Sequence, residues 1–268
     1  MTGTVGRTWL FVPGTTPQRF ARAAASGADE VVLDLEDAVA VDAKPFARAA
    51  AATWLSGEGR AWVRVNAMGT PWHDDDVTAL VNLPGLAGLV VPKAEDPVAL
   101  AALAGSLPAG LPLVALVESA VGVHRAVEIA QAKGVGRLAF GSLDFAVDVR
   151  ADHTENALLL ARSTLVLASR VAGLPAPIDG VTTSVDDGGL VAADARRAAV
   201  LGFGGKLCIH PAQLEPVARA FAPSEQQLDW ARAVVAAAST SVGAVFAGPD
   251  GHMIDKPVID HAHAILRA

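Results

Sequence analysis

Glu118 and Asp144 each close an apolar run, in LPLVALVE and RLAFGSLD, and the stretch between them has the length and pattern of one helix. Val123, Val127 and Ala130 recur at helical spacing over residues 122–133. Strand, helix and strand in that order force the two strands parallel, and the right-handed crossover makes them neighbours. The two carboxylates then stand side by side on strands ~4.8 Å apart. Bare carboxylates at that distance repel, so they share a proton, hold a cation or pair with a base. As a cation site they suit Mg²⁺, or Mn²⁺, with substrate oxygens and water completing an octahedral oxygen shell. Zinc is disfavoured, because no histidine or cysteine falls at a recognisable ligand spacing. The alternative is that both acids pair with Arg64, Lys93 or a backbone amide and do no chemistry.

Other residues of the same kind surround this pair in the sequence. Arg64, in WVRVN, is a charge among apolar strand residues and needs a partner; its planar fork suits a substrate carboxylate. Arg19 follows a Pro/Gly turn in VPGTTPQRF, where it is either an anion-binding group or an ordinary solvated helix residue. In LDLED, Asp34 and Glu36 share one strand face, as orienting groups for Arg64, as a base, or as members of an ion-pair network with Arg64 and Lys93. Lys93, in VVPKAE, suits an anion or a Schiff base, and the acid pair makes the Schiff-base route less attractive. Asp148 lies four residues beyond Asp144 in LDFAVD; of the two, Asp144 is the expected ligand, as the residue at the strand end. His210, in CIHP, reads as a structural hydrogen-bonding group, and Asp255, in MIDKP, taken alone, as a solvent residue or helix cap.

The elements that must position these groups alternate along the chain. Strands are expected at 9–13, 30–37, 61–67, 88–93, 113–119, 137–144, 177–181 and 205–210. Helices are expected near 17–25, 45–55, 74–82, 97–105, 122–133, 156–172 and 187–201. Eight strands alternating with helices is the plan of a (β/α)8 TIM barrel, an α/β fold. Glu36, Arg64, Lys93, Glu118 and Asp144 follow one another at 28, 29, 25 and 26 residues. One βα unit takes about 30 residues, so these five groups occupy equivalent strand-end positions and converge on the C-terminal mouth of a barrel. Beyond the eighth strand, helices are expected at 211–221 and 224–239, then a Gly/Pro-punctuated tail and a last helix from Val258. The division is a catalytic barrel over 1–221 and a C-terminal helical extension over 222–268, a lid or a surface for another subunit.

The 268 residues suffice for one large α/β domain with a small appendage. No apolar run approaches the ~18 residues of a membrane span, and the N-terminus lacks a signal-peptide plan. A single cysteine, Cys208, excludes an internal disulfide and fits a reducing cytoplasm. The net charge of −7 argues against nucleic acid as a partner while leaving an anionic small molecule open, since a few arginines can dominate the field of a cleft.

Taken in order, RTWLFVPGTTPQRF, VVLDLEDAV, RAWVRVNAMGT, VVPKAE, ALVESAVGV, AFGSLDFAVD, GKLCIHPAQL and GHMIDKPVIDHA make the chain resemble the citrate lyase β-subunit-like branch of the HpcH/HpaI aldolase/citrate lyase family, over nearly its whole length. The resemblance implies a (β/α)8 barrel with a C-terminal extension, and a homo-oligomer, often a trimer. It implies a Mg²⁺-dependent C–C lyase acting on a short 3-hydroxyacyl-CoA thioester of the citryl-, citramalyl-, malyl- or β-methylmalyl-CoA type. Retro-Claisen cleavage of such a thioester gives a ketoacid and acetyl-CoA or propionyl-CoA. By motif, Glu118 and Asp144 resemble the metal ligands and Arg64 the clamp on substrate carboxylate and oxyanion. Glu36 resembles the acid that supports the metal's water. Asp255, against its bland reading, matches an acid that related lyases take from the neighbouring subunit's tail for proton transfer. Arg19 and Lys93 are expected at the substrate or CoA entrance. Three alternatives stay open: a metal-dependent aldolase on free 2-keto acids, a malate synthase-like condensation, and a citrate lyase β subunit that needs acyl-carrier partners.

Overall fold

The structure, a computed structural model, describes residues 6–240, 245–248 and 251–267. Residues 1–5, 241–244, 249, 250 and 268, with the parts of the N-terminal segment and of the punctuated tail that fall there, lie outside the described residues. Eight short apolar segments form parallel strands: β1 (Thr8–Pro13), β2 (Glu30–Asp34), β3 (Ala61–Arg64), β4 (Leu86–Val91), β5 (Leu113–Val117), β6 (Val135–Phe140), β7 (Ile178–Asp179) and β8 (Gly205–Cys208). They pair in chain order, and β8 returns to β1, closing the barrel. The expected (β/α)8 fold is therefore the observed one.

Around the barrel lie α1 (Phe20–Ala24), α2 (Lys44–Ser56), α3 (His73–Leu80), α4 (Pro97–Ser106), α5 (Ala120–His124), α6 (Ala126–Gln131), α7 (Ser142–Asp148), α8 (Glu155–Val171), α9 (Gly188–Leu201) and α10 (Leu214–Phe221). Their starts are written in the sequence. Pro97 opens α4 behind Asp96, whose side chain accepts from Val98 N at 2.8 Å. Asp187 accepts from Leu190 N at the start of α9, and Gly202 ends that helix with a φ of +102°.

Strand alternation makes two cores. Trp9, Val32, Trp62, Val90, Val114, Leu116, Ala139, Ile178 and Leu207 fill the barrel. The intervening residues, Leu33, Val63, Leu89 and Ala115 among them, pack outward against the helices. That second layer also buries charges: Asp179 binds Arg162 Nε at 2.8 Å and Lys206 Nζ at 3.2 Å, and both cations hold its carboxyl below the usual range.

Three expectations are corrected. The strand expected over 137–144 ends at Phe140, and Asp144 lies in the first turn of α7. Gly141 interrupts the extended run, and its amide still pairs with Val117 O at 2.9 Å while Ser142 already starts the helix. The single helix expected over 122–133 is two, α5 and α6, broken at Arg125. The strand expected to reach residue 37 ends at Asp34, because the side-chain oxygens of Asp34 take the backbone amides of Glu36 and Ala38 and turn the chain.

Contacts divide the chain into two units, one ending at Phe221 and the other beginning at Ala222. The second holds α11 (Glu225–Thr240), a hairpin of β9 (Phe246–Ala247) and β10 (Met253–Ile254), and α12 (Lys256–Arg267). Ala231, Val234, Ile254 and Ala262 form its own small core. Among the described residues no helix is long and apolar enough to cross a membrane.

Candidate active site

A cavity of about 440 Å³ opens at the C-terminal mouth of the barrel, where Phe11, Asp34, Arg64, Glu118, Ser142 and Asp144 contribute to its wall. Arg64 ends β3 directly beside Asp34, the last residue of β2. Their side chains meet in a two-pronged ion pair, Nε to Oδ1 at 2.7 Å and Nη2 to Oδ2 at 2.6 Å. Nη1 reaches Glu36 Oε2 at 3.1 Å, and Phe11 lies 4.9 Å from the guanidinium carbon. These contacts fix the plane of the fork and leave Arg64 permanently charged, its pKa raised by Asp34 and Glu36 against burial. Burial acts on Glu36 in the opposite sense: it pushes that carboxyl up to about 7, although Arg64 pulls it down.

Glu118 follows β5 by one residue and is buried. Its Oε1 accepts from the backbone amide of Lys93 at 2.8 Å. Lys93 adopts a left-handed backbone, φ +50°, which costs a non-glycine residue energy and aims that amide at the carboxylate. Burial also raises the pKa of Glu118. The other oxygen rests against Gly141, where a Cβ would lie 2.3 Å from Oε2. Only glycine admits the carboxylate there.

The Lys93 ammonium forms an ion pair with Asp144 and lies 3.4 Å from Glu118 Oε1, so a positive charge bridges the two acids. The pairing that the sequence offered as the alternative to a metal is thus present in this structure. The donor set also fits a hard divalent cation. Two carboxylates share the Lys93 ammonium, Glu118 lies in a glycine cradle, and among the described residues no group of three or more histidine, cysteine or acid side chains is placed to hold a metal. A site with few protein oxygens and room for substrate and water is the Mg²⁺ pattern rather than the calcium or zinc one.

Five of the expected residues therefore converge: Glu36, Arg64, Lys93, Glu118 and Asp144. Arg19 is exposed in the 3₁₀ turn Pro17–Arg19 and does not line the cavity. Asp255 belongs to the C-terminal unit, where its Oδ1 accepts from Val258 N at 3.2 Å at the start of α12. Ser142 and His153, absent from the sequence reading, lie 2.9 Å apart between Oγ and Nε2, with Ser142 in the cavity wall. The serine in FGSLD was readable only once that segment was known to begin a helix. His210 caps the 3₁₀ turn Pro211–Gln213, in keeping with a structural role.

Residues 7–211 match the family model for HpcH/HpaI aldolase/citrate lyase. A citrate lyase subunit beta-like protein from Mycobacterium tuberculosis is 39% identical over 269 residues, covering 98% of this chain and 95% of the relative. A (3S)-malyl-CoA thioesterase from Cereibacter sphaeroides is 32% identical, covering 97% and 91%. The crystal structure of CitE from M. tuberculosis in complex with magnesium, acetoacetate and coenzyme A superposes with a TM-score of 0.86 at 37% identity, over 98% of this chain and 97% of that one. With motifs, barrel and relatives in agreement along its length, the chain belongs to the HpcH/HpaI aldolase/citrate lyase family.

Proposed function

We propose that this chain is a Mg²⁺-dependent carbon–carbon lyase that cleaves a short 3-hydroxyacyl-CoA thioester to a ketoacid and acetyl-CoA or propionyl-CoA. The observation that carries the reading is the pair Glu118 and Asp144 beside an Arg64 already locked by Asp34 in the cavity wall. Mg²⁺ bound between the two carboxylates would supply Lewis-acid stabilisation of negative charge on substrate oxygens. Arg64 presents its remaining N–H donors to the substrate carboxylate or to the oxygen that gains charge, at no cost of reorientation. Glu36 holds Nη1 of that fork and exchanges a proton near neutral pH. Lys93, which pairs with both acids here, would be free to meet an anionic group of the thioester where Glu118 and Asp144 hold the metal. Asp255 serves proton transfer from the tail of a neighbouring copy in a homo-oligomer, for which a trimer is our reading. The lone cysteine favours a cytoplasmic setting.

The substrates to test are citryl-, citramalyl-, malyl- and β-methylmalyl-CoA, with EDTA as control. Metal-dependent release of a ketoacid together with acetyl-CoA or propionyl-CoA is expected from one of them. Silence across the panel overturns the reading of a lyase that acts alone on these thioesters. The likeness to a malyl-CoA thioesterase favours a second reading, hydrolysis of the thioester bond. Free thiol appearing with the intact hydroxyacid, and no ketoacid, would select it.

A further inference from the structure

Asp148 has no part in the reading above, yet it closes the segment that carries Asp144. It lies four residues after Asp144 on α7, hence on the same face of that helix. Its Oδ2 accepts from the backbone amide of Ala120 at 2.7 Å. Ala120 begins α5, immediately after Glu118 and Ser119. This hydrogen bond therefore ties the helix that carries one carboxylate to the strand end that carries the other.

The first turn of α7 is tied as well. Gly141 N donates to Val117 O at 2.9 Å, and Ser142 pairs with His153. Asp144 itself has one ion-pair partner among the described residues, Lys93, and its side chain is 38% exposed. Nothing on its own side chain holds it at a fixed distance from Glu118 once the ammonium leaves. The helix must hold it, and Asp148 anchors the far end of that helix.

We propose that Asp148 is a positioning residue for the metal site, setting the separation of Glu118 and Asp144 through Ala120 N. The inference rests on the reading of those two acids as Mg²⁺ ligands. Mg²⁺ demands near-ideal octahedral geometry, so a small drift of α7 lowers affinity even though both ligands remain.

Binding of Mn²⁺, followed by the EPR signal of the free ion, tests this on wild type, Asp148→Ala, Asp148→Lys and Asp148→Asn. Alanine removes the acceptor and lysine sets a donor against a donor. Asparagine keeps an acceptor oxygen without the charge. Ala and Lys are expected to bind Mn²⁺ about tenfold more weakly, as when supporting groups of metal ligands are lost, with Asn close to wild type. In turnover assays the Mg²⁺ concentration for half-maximal rate should rise for Ala and Lys while kcat at saturating metal is kept. Wild-type affinity in both Ala and Lys overturns the proposal. So does an Asn variant as weak as Ala, which would make the charge and not the strap the cause. A wild type that binds no Mn²⁺ removes the ligand pair itself, and that failure is read before any variant is compared.

Discussion

Arg64 is held by more contacts than charge balance requires. Asp34 alone neutralises it, yet Glu36 and Phe11 also fix the guanidinium, so orientation as well as charge is being kept. Arg64→Lys, which retains the charge and loses the fork, is expected to lower kcat/KM on the order of 10²-fold; an unchanged kcat/KM would refute the clamp. Glu118→Gln and Asp144→Asn should each abolish metal-dependent turnover while circular dichroism stays that of wild type, and full activity in either would remove it from the ligand pair. Glu36 gives a pH prediction. Its carboxyl is at about 7 in the folded chain against 4.5 in the free group, so the folded state holds the proton more tightly. The stability this confers is complete below 4.5 and is lost as pH rises to about 7. Glu36→Gln cannot lose it. Urea unfolding should show the variant gaining on wild type across that interval and running parallel above it; a constant difference would count against the raised pKa. These groups were legible in the sequence because a charge inside an apolar strand has to find a partner. The same rule applied to Asp179 in PIDG and Lys206 in GGKLC would have found their pairing, which lies in the outer layer, away from the five residues whose spacing drew attention.

At the scale of elements, the alternation of strands and helices was readable because each strand is a short apolar run bounded by turn residues. Element ends were not, and Asp144 shows why. RLAF is strand-like, but Gly141 breaks the extended run and α7 begins at Ser142, so the last three residues expected in the strand are helical. The two acids still meet, one from a strand end and one from a helix. Gly141 makes room for Glu118, since a Cβ there would lie 2.3 Å from its Oε2. Gly141→Ala should therefore cost about 1–3 kcal/mol of stability, as overpacking does, and weaken Mn²⁺ binding as well; a variant with unaltered melting and affinity would show that Glu118 has room to move. In the outer layer, Asp179→Asn leaves Arg162 and Lys206 buried with their shared counter-charge gone. A loss of about 3–5 kcal/mol is expected, measured by denaturant unfolding, and a change below 1 kcal/mol would mean that solvent reaches the two cations.

At the scale of the whole molecule, the barrel carries Glu118 and the C-terminal unit carries Asp255. If the acid of one copy serves the cavity of the next, each site is built from two chains in a head-to-tail ring, and a defect in either half can be supplied by a different subunit. Asp255 also accepts a hydrogen bond at the start of α12, so the variant must remove the acid and keep the cap. Asp255→Asn does both, asparagine being as good an N-cap as aspartate. Asp255→Asn and Glu118→Ala chains should each be inactive alone. After co-refolding at equal amounts, a random ring places an intact barrel against an intact tail at about a quarter of its sites. Recovery of activity toward that fraction is expected, with mixed oligomers verified by mass. Were Asp255 to act on its own barrel, every chain in the mixture would carry one broken half and no site would be whole. Verified mixed rings without activity would therefore return Asp255 to its own subunit, and activity in Asp255→Asn alone would remove it from proton transfer.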